Sequence, residues 1–152
     1  MKNILFILLT LVSCNAFFAQ ETTSVYDEKL AKSLNADEYG MKQYVFCILK
    51  TGNNTTATKE EKNKLFEGHM ANINRLAQEG KLIVAGPFMK NDKNYRGIFI
   101  FNVSTIEEAE ALVATDPAVK ANIFEVDLTL WYSSAALQEI SKLHDKIAKI
   151  KM

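Results

Sequence analysis

The sequence predicts an α+β fold: one antiparallel sheet of four strands, with helices on one face. Three observations carry this. The apolar segments change period in the order β, α, β, β, α, β. A Ser/Thr-x-x-Glu capping signature opens each of the two main helical segments. The first and third strand segments are apolar on both faces, as the central strands of such a sheet must be.

The elements follow in chain order. Lys2 and the apolar run 4–12, followed by small and polar residues, have the form of a secretory signal over residues 1–20. The run is shorter than the roughly 20 apolar residues that a membrane span requires. Cleavage near Ala19 or Gln20 is expected. Leu11-Val12-Ser13-Cys14 offers the alternative of a lipobox, which would leave Cys14 lipidated and the chain tethered to a membrane. Residues 21–40 are mixed and polar and read as a loosely ordered leader, so the domain is expected to begin at Met41 and run to Tyr132.

Residues 42–50 are a strand covered on both sides, with Cys47 as a buried, inert thiol. A glycine- and asparagine-rich loop follows. Thr58 with Glu61 then caps a helix over residues 59–79 that Gly80 ends. Its apolar stripe is Leu65, Phe66, His69, Ile73, Leu76 and Ala77, with Asn72 off the stripe. Residues 81–88 form a second strand, placed at an edge by Pro87. Residues 96–103 form a third, central strand. Ser104 with Glu107 is read as a second capping box, opening a helix over residues 105–115 that Asp116-Pro117 stops. Residues 124–131 alternate as a half-exposed strand. Residues 133–152 return to helical spacing through Leu137, Ile140, His144, Ile147 and Ile150, an amphipathic tail that needs a surface to cover. Right-handed crossovers turn this order into the ferredoxin-like βαββαβ arrangement plus a C-terminal helix. With helices on only one face, the other face needs a second cover, either a second copy of the chain or the tail.

Lys plus Arg and Asp plus Glu both total 18, so no net field exists to gather nucleic acid or anionic lipid. The signal would remove Cys14 and leave Cys47 without a partner for a disulfide. No CxxC pair, HExxH motif or phosphate-cradling glycine loop is present, so neither metal nor cofactor is expected. Two positions can carry chemistry. His69 lies on the helix face that meets the sheet, either as a satisfied core histidine or as a general acid or base. Asp116 is either the N-cap of a short turn beginning at Pro117 or the carboxylate that orients an imidazole. Gly86-Pro87 shapes a strand end and Arg96-Gly97 pins a hairpin, while Arg96 at a pocket mouth suits an anionic substrate.

His69, the run Gly80-Lys81-Leu82-Ile83-Val84-Ala85-Gly86-Pro87, Arg96-Gly97, Ile106-Glu107-Glu108-Ala109 and Thr115-Asp116-Pro117-Ala118-Val119-Lys120-Ala121 together resemble the YciI-like (YCII-related) family. The resemblance covers residues 41–132. It implies a ferredoxin-like, dimeric α+β barrel, with His69 and Asp116 as the catalytic pair; Gly86, Pro87 and Arg96 are expected to bind the substrate. Relatives include a dehydrochlorinase acting on hydroxyquinones, and the broader fold group includes muconolactone isomerase. Phe66 stands where many members carry arginine, and Asn122 where many carry glycine.

The expectation is therefore an exported protein, periplasmic or secreted, that acts on a small molecule by isomerisation or elimination, as a homodimer and without a cofactor. A non-catalytic ligand-binding or structural dimer is one alternative. A cofactor-free monooxygenase with a large apolar cavity is the other.

Overall fold

The computed structural model describes residues 25–150. The expected signal over residues 1–20, including Cys14, lies outside them.

Four strands, β1 (Met41–Thr51), β2 (Leu82–Pro87), β3 (Tyr95–Phe101) and β4 (Phe124–Ser134), pair in the order β2-β3-β1-β4, all antiparallel. The two strands read as apolar on both faces are the central ones. Pro87 lies at the end of an edge strand, where a missing N–H costs no ladder bond. This is the ferredoxin-like fold.

The helices are α1 (Glu28–Ser33), α2 (Lys59–Gln78), α3 (Ile106–Val113), α4 (Pro117–Lys120) and α5 (Ile140–Ile147). The predicted box at Thr58 and Glu61 closes in both directions, and Gly80 follows the helix at φ +67, the left-handed conformation in which glycine meets no steric penalty. The second box is shifted by one residue. Thr105 and Glu108 form it, rather than Ser104 and Glu107, and the helix runs from Ile106 to Val113. Two overlapping signatures compete here. The register that wins buries Ala109 and Val113, while the Glu108 carboxylate also accepts from Ser104 N.

Val45, Cys47, Leu49, Phe99, Phe101 and Phe124 form the main core with Leu76, Ala109 and Val113 from the helices. Cys47 is fully buried and free, and burial pushes its thiol up to about 12, as an inert side chain requires. On the other face Tyr44, Ile83 and Ile100 form a smaller cluster with Phe46, Val84, Trp131 and Leu137.

Two segments differ from the sequence expectation. Residues 27–40 are not loosely ordered. Asp27 caps α1, Leu34 is buried, and Leu34 O accepts from Gln138 Nε2 at 2.7 Å. Asp37 accepts from Tyr39 N and Met41 N, and the Tyr132 hydroxyl donates to its other oxygen. Hydropathy carries no trace of these polar contacts. The tail begins as a 3₁₀ turn, Ala135–Glu139, and only then becomes α5. Leu137 reaches the sheet, but Ile140, Leu143, Ile147 and Ile150 stay exposed, so the stripe covers one end of the open face and no more.

Candidate functional site

His69 and Asp116 lie 47 positions apart in the chain and meet at a single contact, His69 Nδ1 to Asp116 Oδ2, of 2.6 Å. Helical spacing explains the first partner, because His69, Asn72 and Leu76 form the buried stripe of α2. The ring rests over Phe99 at 5.9 Å between centroids, nearly parallel, with Phe124 at 5.1 Å and Phe66 edge-on at 6.5 Å. Aromatic walls keep the local dielectric low and so strengthen the bond to the carboxylate.

Asp116 is fully buried and makes two contacts at once. Oδ1 accepts from Ala118 N at 2.9 Å as the N-cap of α4, with Pro117 in the first turn; Oδ2 faces the imidazole. A carboxylate only accepts, so Nδ1 carries the proton, and in the neutral ring Nε2 holds the lone pair. Among the described residues Nε2 has no hydrogen-bond partner. Since no buried side-chain N or O of the described residues lacks a partner, Nε2 is the atom of this pair that reaches solvent. The side chain is 10% exposed, a narrow opening.

The other candidate residues are divided by the sheet. Ala85 pairs with Phe99 and Pro87 with Gly97, so both occupy the face on which the imidazole lies, and both are exposed. The helices therefore leave this end of the β2–β3 pair unroofed, and Pro87 lies along the open strip. Gly86 pairs with Ile98 on the opposite face, where an added Cβ would meet nothing within 4 Å; the structure does not bring it to His69. Gly97 allows a close strand approach, since a Cβ there would come within 2.9 Å of Gly86 O. Arg96 is the residue passed over where the β1–β3 register shifts, exposed at the rim, with its carbonyl accepting from Phe88 N.

Several contributors were not legible as such in the sequence. Asn72, expected off the stripe, is buried. Its Oδ1 accepts from Arg75 Nη2 at 2.8 Å and lies 2.9 Å from Thr115 Oγ1. A buried amide is tolerable once it is paired, and both partners are visible only in three dimensions. Gly68 allows α2 to approach α4, for a Cβ there would lie 2.9 Å from Pro117 Cγ. Beside that contact is a cleft of about 600 Å³, lined by Asn54, Glu61, Lys64, Leu65, Gly68 and Pro117 among others. It borders the chain neighbours of the pair, but neither His69 nor Asp116 lines it. Among the described residues no three His, Cys, Asp or Glu side chains are grouped as a metal ion would need.

The family model of the YCII-related domain matches residues 44–131, from Tyr44 on β1 through Trp131 on β4. The chain belongs to the YCII-related family. No curated protein matches it. A solved structure similar to this YCII-related protein is the 5-chloro-2-hydroxyhydroquinone dehydrochlorinase of Burkholderia phenoliruptrix AC1100, in complex with 2,5-dihydroxybenzoquinone. It has 22% identity, covers 57% of this chain and 90% of that one, and has a TM-score of 0.39. In this YCII-related domain the two departures from the family pattern have local explanations. Phe66 packs edge-on against His69 and Phe124, where an arginine would bring a charge. Asn122 sits at φ +53, a left-handed position that asparagine tolerates nearly as glycine does.

Proposed function

We propose that this YCII-related protein is an exported small-molecule enzyme of isomerase or lyase type, with His69 Nε2 as the proton-moving atom and Asp116 as the carboxylate that orients it. The observation carrying this reading is the 2.6 Å contact at Nδ1 combined with an Nε2 that has no partner among the described residues. Nε2 takes a proton from a substrate carbon beside a carbonyl, and the imidazolium that forms is stabilised by Asp116. Returning that proton to another carbon completes an isomerisation. If the freed electron pair expels a leaving group instead, the result is an elimination. The export part of the proposal rests on the signal pattern over residues 1–20 and is checked by the mass of the mature N-terminus.

The test is turnover of lactones and hydroxyquinones by the purified protein, compared with His69→Ala. Loss of turnover in the variant is expected; equal turnover in both would remove His69 from the mechanism. One observation favours a second reading, a ligand-binding dimer without chemistry: the pair is nearly sealed and Asp116 already has a structural task as N-cap. That reading expects bound ligand to be recovered unchanged from the wild type.

A further inference from the structure

His69 and Asp116 belong to separate helical segments, and no ladder of backbone bonds fixes their distance. The contacts beside them are ordered. Passing along α2 from Gly68 to His69 to Asn72, the opposing segment runs backward from Pro117 to Asp116 to Thr115. The imidazole–carboxylate bond is thus bracketed by a steric contact on one side and a polar clasp on the other.

The clasp is well defined. Arg75 Nη2 donates to Asn72 Oδ1 at 2.8 Å and to Thr115 Oγ1 at 3.0 Å, while Nη1 donates to Glu79 Oε1 at 2.8 Å, holding the guanidinium against its own helix. A guanidinium only donates, so the amide atom facing it must be Asn72 oxygen, and this orientation leaves Oδ1 in reach of the threonine hydroxyl. Thr115 Oγ1 lies 2.9 Å from Asn72 Oδ1 and 2.6 Å from Leu112 O, so its single proton is shared between the helix behind it and the amide in front. The residue so anchored is the one immediately before Asp116.

We propose that Thr115, with Asn72 and Arg75, is a positioning residue for the His69–Asp116 pair, setting the separation that keeps Nδ1 bonded to the carboxylate and Nε2 free. The proposal rests on the reading of that pair as the proton-moving site, but its test does not need turnover. The proton on Nδ1, held in a short bond to a carboxylate, gives a far-downfield proton resonance, and ¹⁵N shifts of the ring report which nitrogen carries it. Thr115→Val keeps the shape and removes the hydroxyl; it should lose or shift the downfield resonance and mix the tautomers. Thr115→Ser should restore both. A residue with only a structural role would lower the melting temperature and leave the ring signals in place. A folded Thr115→Val with wild-type ring signals would overturn the proposal. Should that variant fail to fold, Arg75→Met, altering a side chain 46% exposed, releases Asn72 and must move the same signals; unchanged signals there overturn it equally. A wild-type protein that turns over nothing would remove the catalytic reading and leave the clasp standing.

Discussion

Asp116 carries two hydrogen bonds that different substitutions separate. Asparagine caps helices about as well as aspartate, so Asp116→Asn should stay within about 1 kcal/mol of the wild type; with its single oxygen on Ala118 N, its NH₂ turns to Nδ1 and moves the ring proton to Nε2. It loses the charge that stabilises an imidazolium, and its turnover should fall by roughly 10²–10⁴, the usual contribution of general acid–base catalysis. Asp116→Ala removes the cap and leaves a buried N–H unpaired, which should cost roughly 2–4 kcal/mol. Denaturant titration and kinetics on the two variants decide the matter: if asparagine is as destabilising as alanine, the charge is structural, and if asparagine is fully active, Asp116 has no catalytic part. His69 and Asp116 could be named from the sequence because a helix face and an Asp-Pro start are local patterns. The burial of Asn72 could not be, since its justification comes from Thr115, 43 positions away.

Helix starts show how far local patterns reach. Ser104-x-x-Glu107 and Thr105-x-x-Glu108 are equally good signatures in the sequence, and packing of Ala109 and Val113 selects the second. The consequence is a clear asymmetry. Thr105→Ala should cost about 1 kcal/mol, the usual loss on removing a cap, whereas Ser104→Ala should change stability by no more than about 0.5 kcal/mol. Equal losses in a denaturant series would refute the register. The strands were legible for a related reason: two-sided hydropathy marks a central strand, and β1 and β3 are the central pair of the sheet. The short α1 and the 3₁₀ turn escape such reasoning because polar side chains and chain ends hold them, leaving no period to read.

At the scale of the whole molecule, the Asp37–Tyr132 contact joins the segment before β1 to the far edge of the sheet. The Tyr132 hydroxyl, followed by Met41 N–H, holds the Asp37 carboxyl below its ordinary 3.8. Its contribution is therefore present above 3.8 and is lost as pH falls through the lowered value. Asp37 in turn raises the Tyr132 phenol above 10.0, so that contribution is whole below 10.0 and fades as pH rises past it. The segment should be held most firmly between these limits and loosen beyond either, as followed by amide exchange of residues 27–40. Tyr132 titrating at the ordinary phenol value would show that the contact does not form. The remaining open area of the sheet sets the last expectation. Leu137 covers the end bearing Tyr44 and Ile100, but Phe46, Ile48 and Ile98 beyond it are only half-buried, and the apolar stripe of α5 turns away from them. Leaving such a strip in water forfeits about 25 cal/mol for each Å² that a partner could bury, and a second copy offers the same strip in a self-complementary pairing. Sedimentation should therefore find a homodimer. Ile98→Asp, which places a charge in the middle of the strip, should yield a folded monomer, while Leu143→Asp on α5 should leave the dimer intact. A wild type that sediments as a monomer, or a dimer that dissociates with Leu143→Asp and not with Ile98→Asp, would move the interface off the sheet.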